Sequence, residues 1–439
     1  MLLSIPEASY TARTMPDFGA PPLEIHRHQL DNGLQVVLHP DPALPLVAIN
    51  LWYHTGSKHE RPGKTGIAHL FEHMLFQGSR NVDSHFRYVQ QVGGVANGST
   101  WFDRTNYFET LPADSLELGL WLESDRMGFL LPAVTQEKLD NQREVVMNER
   151  RQRVDNQPYG RASERLNELL FPEGHPYHWP VIGYMEDIEA ATLEDVKGFF
   201  ATYYTPNNAV LTLAGDLDPE RALDLVTRYF GDLKPGAPIR PVSINEDVVT
   251  DDPCEELTDN VQLERSYTAY RIPAFGRPEW YAADLLAAIL AGGKASLLHR
   301  DLVYERELAQ SVAAYALPTE ETGSLQIVAT ATPGTDAERL EIEIQSHLDR
   351  IAQHGPGDAD LERARNRILT AYYSDLQTVG RRADLLSLFT TYFDDPERLR
   401  EEASILQAVQ AGEIQELARE QLQAPNRARV RVSPVDQIA

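Results

Sequence analysis

The spacing of apolar residues near residue 70 predicts a helix with a polar stripe. Within residues 65–76 the apolar residues recur every three or four positions, and they are Ile67, Ala68, Leu70, Phe71, Met74, Leu75 and Phe76. His69 and His73 are four residues apart, so they lie one turn apart on one face, with Glu72 on its flank. Because buried polar groups need partners, this stripe has to be satisfied by other side chains or by a metal ion.

The H-x-x-E-H pattern of residues 69–73 supplies the donors of a catalytic zinc site. Two neutral imidazoles and a nearby carboxylate suit zinc when a third ligand comes from elsewhere and a fourth position stays open. An ordinary, partly buried pair of histidines is the alternative, and the bare spacing favours it. The carboxylate between the histidines, the apolar surroundings and a suitable carboxylate downstream favour the metal site.

The downstream carboxylate is Glu149, in a second segment with helical periodicity at residues 139–152. We expect it to face inward on a stripe whose other members are Gln142, Val145, Val146 and Arg153. Other charged residues of this helix are expected to be solvated, and they are Glu144, Arg150 and Arg151. Periodicity alone does not join Glu149 to the histidines, since about 75 residues of chain separate them.

Several segments together resemble the pitrilysin family of zinc peptidases, the inverzincins, which includes insulin-degrading enzyme and the mitochondrial processing peptidase. In that family H-x-x-E-H is followed by a glutamate at this distance. Other similar segments are residues 93–100 with 105–108, 175–183 and 204–209, and the resemblance runs from about residue 23 to residue 434. It implies one zinc ion per chain, with Glu72 as the general base and a set of ligands formed by His69, His73 and Glu149.

The resemblance also implies a strand that binds substrate. Asn97, Gly98 and Ser99 lie where the family pairs an edge strand with the substrate main chain, which gives affinity through backbone hydrogen bonds. An ordinary strand and turn is an equally good interpretation of these three residues. The expected substrates are peptides, or unfolded polypeptide segments small enough to enter a chamber.

The chain departs from the family pattern at two places. Many relatives carry a glutamate seven residues before the third ligand; here Gln142 stands there, and we expect its amide to hydrogen-bond beside the zinc site. Active relatives usually carry an arginine and, seven residues later, a tyrosine that stabilise the oxyanion, but the aligned residues are Val303 and Gln310. Tyr304 and Arg306 are close but out of register, and a local shift that brings one into place is the alternative.

These departures imply a heterodimer. A chain without both donors resembles the zinc-binding subunit of a two-chain enzyme whose homologous partner supplies the arginine and the tyrosine. A homodimer would repeat the deficiency, because two-fold symmetry adds no new residue types. We therefore predict the subunit of a zinc-dependent endopeptidase that cuts peptides inside a chamber. The alternatives are a non-catalytic core or scaffold subunit and a peptide-binding module of the same fold.

Length and composition allow two or three domains and exclude several classes of partner. The chain has 439 residues, of which 42% are hydrophobic and 24% charged, with a formal net charge of −26 at pH 7. Such acidity argues against binding to nucleic acid and against adhesion to anionic membranes. No apolar run reaches the roughly 18 residues of a membrane span, and the N-terminus does not resemble a signal peptide. We expect a soluble protein, in the cytoplasm or, if a signal peptide was removed, in the periplasm.

The order of predicted elements indicates a duplicated α+β fold. Strands are predicted at 34–37, 47–53, 210–214, 262–271, 308–317 and 323–331, and helices at 219–229, 279–291 and 296–305. Residues 195–213 and 413–432 share the order helix, Pro-Asn, strand, which is a weak internal repeat. We predict a zinc-binding domain at 23–233, a proline-rich linker at 234–246 and a homologous domain without a metal site at 247–434. Each domain would be an antiparallel sheet covered by helices, and the pair would form one half of a clamshell chamber.

Overall fold

The computed structural model describes residues 23–242, 244 and 251–435 of the chain. The strands are β1 (His26–Gln29), β2 (Gln35–Pro40), β3 (Leu46–Tyr53), β4 (Val95–Thr100), β5 (Thr105–Pro112), β6 (Ala209–Gly215), β7 (Cys254–Asp259), β8 (Arg265–Ile272), β9 (Ala309–Leu317), β10 (Gly323–Ala331) and β11 (Arg427–Pro434). The helices are α1 (Ile67–Leu75), α2 (His85–Gln91), α3 (Leu116–Phe129), α4 (Gln136–Arg150), α5 (Ala162–Leu170), α6 (Met185–Ala190), α7 (Leu193–Tyr203), α8 (Pro219–Phe230), α9 (Pro278–Ala291), α10 (Ala337–His354), α11 (Asp358–Asp375), α12 (Val379–Phe393), α13 (Arg398–Ala408) and α14 (Ala411–Glu420).

The strands form two sheets with the same core order, which confirms the predicted α+β duplication. Among the described residues, the first sheet has six strands in the order β1-β2-β6-β3-β5-β4, and the second has five in the order β7-β11-β8-β10-β9. Neighbouring strands are antiparallel except β2–β6 and β7–β11, which are parallel. The sheets are therefore mixed rather than purely antiparallel. Strands β4 and β9 occupy equivalent free edges.

Each sheet is covered by its own helices on one face and by a helix from the other half on the opposite face. Helix α12 packs across β3 and β6, and helix α5 packs across β8 and β11. This exchange explains why β3 and β6 are buried almost without interruption instead of alternating. The sequence analysis predicted helices on one side of each sheet, and this is correct for the helices of the same half. It did not include α5 and α12, which cover the opposite face of the other half's sheet.

Most predicted elements are present within a few residues of their expected bounds, and two edge strands were missed. The predicted strand at 262–271 begins only at Arg265, and the predicted helix at 296–305 ends in a π-helical turn, His299–Glu305. Strands β1 and β7 carry mostly polar sequences, HRHQ and CEELTD, and Leu257 in β7 is too isolated to give an apolar pattern. Residues 234–242 form neither helix nor strand, whereas residues 243 and 245–250, which hold the predicted linker end and domain start, lie outside the described residues.

A buried ionic cluster joins the two halves. Nζ of Lys58 lies 3.2 Å from Asp103, 2.5 Å from Glu320 and 3.1 Å from Glu321, and its side chain is only 3% exposed. Burial by itself would raise the pKa of Glu320, but its contacts with His54 and Lys58 outweigh burial and lower the pKa to about 2. The two halves are therefore joined by ion pairs between a buried lysine of the first half and two glutamates of the second half. None of the helices in the described ranges is both long and apolar enough to cross a membrane.

Candidate metal centre

Helix α1 begins at a glycine that the local backbone requires. Gly66 has a φ of 81°, and a Cβ there would lie 2.6 Å from the carbonyl oxygen of Ile182. The carboxyl group of Glu60 accepts the backbone N–H groups of Gly66 and Ala68, at 2.8 and 2.7 Å. These hydrogen bonds satisfy N–H groups that a helix start leaves free, and the close approach of Gly66 to Ile182 and Gly183 places the start of α1 against that turn.

The structure brings the three predicted metal ligands together. The ligand atoms of His69, His73 and Glu149 all lie within 4.8 Å of one another. Nε2 of His73 is 3.2 Å from Oε2 of Glu149, and Nε2 of His69 is 3.9 Å from the same oxygen. Packing of α1 against α4 makes this meeting possible across the long intervening chain. The three side chains are mostly buried, with exposed fractions of 12%, 25% and 15%.

The position of Glu149 is fixed by its neighbour in the last turn of α4. Arg150 is buried and donates to both carboxylate oxygens of Glu164, at 2.6 and 2.9 Å, and to the carbonyl of Gly183, at 2.8 Å. Because Gly183 lies in the turn that contacts the start of α1, Arg150 ties the two ligand-bearing helices together. Its prediction as a solvated residue is therefore wrong. The chain continues as a π-helical turn, Arg151–Asp155, a geometry that is frequent at functional sites.

Burial and proximity set the charge states of the cluster. Burial, followed by the nearby His73, lowers the pKa of His69 from 6.5 to about 4, so this imidazole is neutral at pH 7. The hydrogen bond from His73 lowers the pKa of Glu149, so this carboxyl group is ionised. Metals bind imidazole in its neutral form and carboxyl groups in their ionised form. The donor types, the distances and the charge states therefore fit a zinc ion.

Glu72 lies beside the cluster and is oriented from the edge strand. The hydroxyl of Thr100, the last residue of β4, donates to Oε2 of Glu72 at 2.6 Å. Burial raises the pKa of Glu72, and this hydrogen bond and the charges of His73 and Arg104 oppose the shift. Thr100 could not be assigned a separate role from the sequence, because nothing in its spacing links it to the helix.

The predicted substrate residues lie on β4, at the free edge of the first sheet. Asn97 is exposed, and its side-chain oxygen accepts the backbone N–H of Gly98 at 2.9 Å. A Cβ on Gly98 would approach the Phe76 ring to 3.1 Å, so glycine lets the end of α1 pack against the strand. Ser99 donates to the side chain of Asn106 at 2.7 Å. The strand thus connects a free sheet edge with the side chain that orients Glu72.

The expected inward stripe of α4 is only partly correct. Gln142 and Val146 are buried, and Gln142 lies two turns before Glu149 on the same side of the helix. Val145, however, is 41% exposed, and the Arg153 side chain is 74% exposed. Arg153 nevertheless reaches the cluster, because Nη1 lies 2.6 Å from Oε1 of Glu149, the oxygen that faces away from the histidines.

The described part of the second half contains no comparable cluster. Within the described residues, no other group of three histidine, cysteine or acidic side chains lies close enough to hold a metal ion. Val303 packs against the core of the second half, and Gln310 lies exposed on β9. Arg306 is held by Glu343 at 2.6 Å, so it is not free to take the missing arginine's place. Tyr304 is 52% exposed.

Comparison with known proteins also distinguishes the first half of the chain from the second. A model of the insulinase family, peptidase family M16, matches residues 35–175, and a model of the M16 peptidase inactive domain matches residues 190–368. The crystal structure of a protease from Helicobacter pylori has a TM-score of 0.86 and 28% identity, covering 94% of this chain and all of that one. The periplasmic protease PqqL of Escherichia coli shares the fold, with a TM-score of 0.74 and 20% identity, over 94% of this chain and 48% of its own.

Sequence similarity extends over most of the chain. An uncharacterized zinc protease of Rickettsia bellii is 27% identical, over 77% of this chain and 81% of that protein. The zinc protease PqqE of Helicobacter pylori is 31% identical over 369 residues, which cover 83% of this chain and 82% of that protein. At that identity and coverage, this chain belongs to peptidase family M16, the insulinase family of zinc proteases.

Proposed function

We propose that this chain is the zinc-binding, catalytic subunit of an endopeptidase that hydrolyses peptides or unfolded segments inside a chamber. One observation carries the proposal: His69, His73 and Glu149 converge, and Glu72 stands beside them with its carboxyl oriented by Thr100. One zinc ion per chain would be held by the three ligands. Gln142, buried on α4, would support this site by hydrogen bonding without adding charge.

The residues around the cluster fit the steps of amide hydrolysis. Zinc bound here would act as a Lewis acid and lower the pKa of a coordinated water. Glu72 would accept the proton of the attacking water and deliver it to the leaving amine, as a general base and then a general acid. Thr100 keeps one Glu72 oxygen engaged, which holds the carboxyl group in one orientation during this transfer.

The substrate would bind as an added strand along β4. Backbone groups at a free sheet edge can pair with an extended peptide of any sequence, so Asn97, Gly98 and Ser99 would position the main chain without selecting side chains through it. The same strand ends at Thr100, which contacts Glu72. Binding along β4 would therefore bring the scissile bond to the catalytic carboxyl group.

A homologous partner would complete the active site. The donors that stabilise the oxyanion in relatives are replaced by Val303 and Gln310, and Arg306 is already engaged by Glu343. The PqqL protease of Escherichia coli contains this fold within about half of one longer chain, as expected if two such halves enclose one chamber. In this chain the halves would be domains at 23–233 and 247–434, joined by the linker at 234–246, and the second chain would supply the arginine and tyrosine.

The test is cleavage of a quenched, unstructured peptide by the purified chain, alone and with a homologous candidate partner, with and without a chelator. We expect cleavage by the pair that the chelator abolishes and added zinc restores. The chain alone should be slower by at least 10²–10³-fold, since each missing oxyanion donor costs about 3–4 kcal/mol. Equal rates with and without the partner would contradict the heterodimer. Binding without chelator-sensitive cleavage in either sample would contradict the peptidase and favour a scaffold or peptide-binding module.

A further inference from the structure

A groove lies on the face of the first sheet opposite helix α1. Helix α12 packs across this face over β3 and β6 and also touches β5, where Asn106 donates to Asp384 at 3.5 Å. Between the first turn of α12 and the strands β4 and β5 is a cavity of about 820 Å³. The cavity is lined by residues of β5 and of the edge strand β4, so it reaches the free edge of the sheet.

The groove and the metal centre lie on opposite faces of the same strand. Side chains alternate along a strand, and those of Val95, Asn97 and Ser99 line the groove. Thr100 points to the other face, where it contacts Glu72. A peptide added along β4 would have the same alternation, so every second side chain would point to the groove face and the others to the zinc face.

The solvent-exposed part of the groove lining contains a group of apolar side chains. Val95 is 69% exposed, Leu44 is 62% exposed and Phe108 is 37% exposed, and all three line the cavity. Exposed apolar side chains that are grouped together mark binding surfaces more often than scattered ones do.

The two arginines of the groove already have hydrogen-bond partners. Arg381 donates to Asp384 at 2.6 Å and to Asp375 at 2.9 Å, and Arg104 donates to the backbone and side chain of Ser99. Arg381 is paired with two carboxylates and Arg104 is hydrogen-bonded to neutral groups, so the exposed surface left for a ligand is mainly apolar and suits an apolar side chain better than a charged one.

We propose that this groove is a side-chain subsite that selects large apolar residues at alternate positions of the substrate. The occupant is the peptide itself, because the groove is continuous with the strand edge along which the peptide would bind. The inference rests on the proposed strand addition and adds sequence selectivity to it. Affinity would come from the main chain on β4, and selectivity from the alternate side chains that reach Val95, Leu44 and Phe108.

Cleavage-site profiling tests the subsite. The protein, with its partner, is given a library of unstructured peptides, and the products are aligned on the scissile bond. We expect Leu, Phe, Met and Ile to be enriched at every second position on one side of the cut. Phe108→Ser should lower that preference by roughly 10-fold and leave the positions in between unchanged. Tyr315→Ser, a residue of similar exposure on the equivalent edge strand β9, is the matched control and should change nothing.

A second variant does not depend on the packing of Phe108. Val95 is 69% exposed, so Val95→Asp should fold normally and shift the preference at one alternate position from apolar to basic residues. Chelator-sensitive cleavage without this alternation, or the same profile in both variants, would overturn the subsite and leave the peptidase intact. A dimer of this chain that Val95→Asp dissociates would also overturn it, since the groove would then join two copies. No cleavage at all would overturn the peptidase and the subsite together.

Discussion

The two halves of the molecule share one fold, but they place different chemistry on equivalent helices. Helices α1 and α9 each follow the matching strand of their sheet, β3 and β8, and each carries a partly buried carboxyl group with a raised pKa. In α1 this group is Glu72, with two imidazoles beside it. In α9 it is Asp284, in a helix whose buried residues are otherwise apolar, aromatic or alanine. Both halves thus bury the equivalent helix, and α1 carries the two histidines that we propose as metal ligands.

The helices that pack against α1 and α9 differ in the same way. Helix α4 brings the ionised carboxylate of Glu149 to the imidazoles. Helix α11 packs against α9 and brings an arginine, Arg363, towards the Ile289 carbonyl near the end of that helix. A cation near a helix C-terminus is stabilising, whereas a carboxylate beside two imidazoles is a ligand set. The second half therefore has the same helix packing, with structural charges where the first half has the proposed ligands.

The comparison predicts that only the carboxyl group on α1 is needed for catalysis. Glu72→Gln should retain zinc and bind peptide but lower kcat by 10²–10⁴-fold or more, because the amide cannot accept the proton. Asp284→Asn is the matched control on α9 and should leave kcat unchanged. The measurement is kcat on one quenched peptide together with the zinc content of each variant. Near-wild-type activity of Glu72→Gln would show that another group is the base.

The carboxyl group on α9 should instead appear in the pH dependence of stability. Burial, with a smaller effect of Glu402, raises the pKa of Asp284 from 3.8 to about 6. An acid whose pKa is raised by folding stabilises the fold while it is protonated, so stability should fall as the pH rises from about 4 to about 6. The loss is roughly 1–3 kcal/mol. Urea unfolding at pH 4 and pH 8 should show this loss in the wild type and a smaller one in Asp284→Asn.

The exposed acid Glu401 on α13 provides the control for this pH experiment. Glu401→Gln should leave the difference between pH 4 and pH 8 unchanged. An Asp284→Asn variant with the same loss as the wild type would show that other groups cause the decline.

A smaller effect is expected from the arginine that contacts a ligand. Arg153 pairs with the outer oxygen of Glu149, but its side chain is 74% exposed, so solvent weakens the pair to about 1 kcal/mol or less. Arg153→Gln should speed the loss of zinc to a competing chelator by up to about five-fold. Arg151→Gln, an exposed neighbour, should have no effect. Equal rates in all three proteins would mean that the pair adds nothing to metal retention.

The candidate metal ligands could be predicted from the sequence better than the side chains that hold them in place. His69 and His73 follow from local spacing, because residues four apart on a helix share a face. Glu149 required the family resemblance, since no local rule joins helices about 75 residues apart. Arg150 stands in a run of charges that favours a solvated face, and its buried partners Glu164 and Gly183 come from later segments.

The exchange of helices between the halves could not be predicted from the sequence. Helices α5 and α12 have ordinary amphipathic patterns, and such a pattern shows that a face is buried without showing which sheet buries it. Strands β1 and β7 were missed because their side chains alternate between partly buried and exposed, with too few apolar residues to mark a core face. Both failures concern long-range packing, which decides where a local element is used.

Zinc content, measured by elemental analysis, is the most direct test of the central claim that the first half is a metal centre and the second is not. The wild type should contain about one zinc per chain, and His69→Ala and Glu149→Ala should each lose it. His347→Ala, which removes a buried histidine of the second half, should retain it. Full zinc retention in both His69→Ala and Glu149→Ala, or loss in His347→Ala alone, would contradict the assignment.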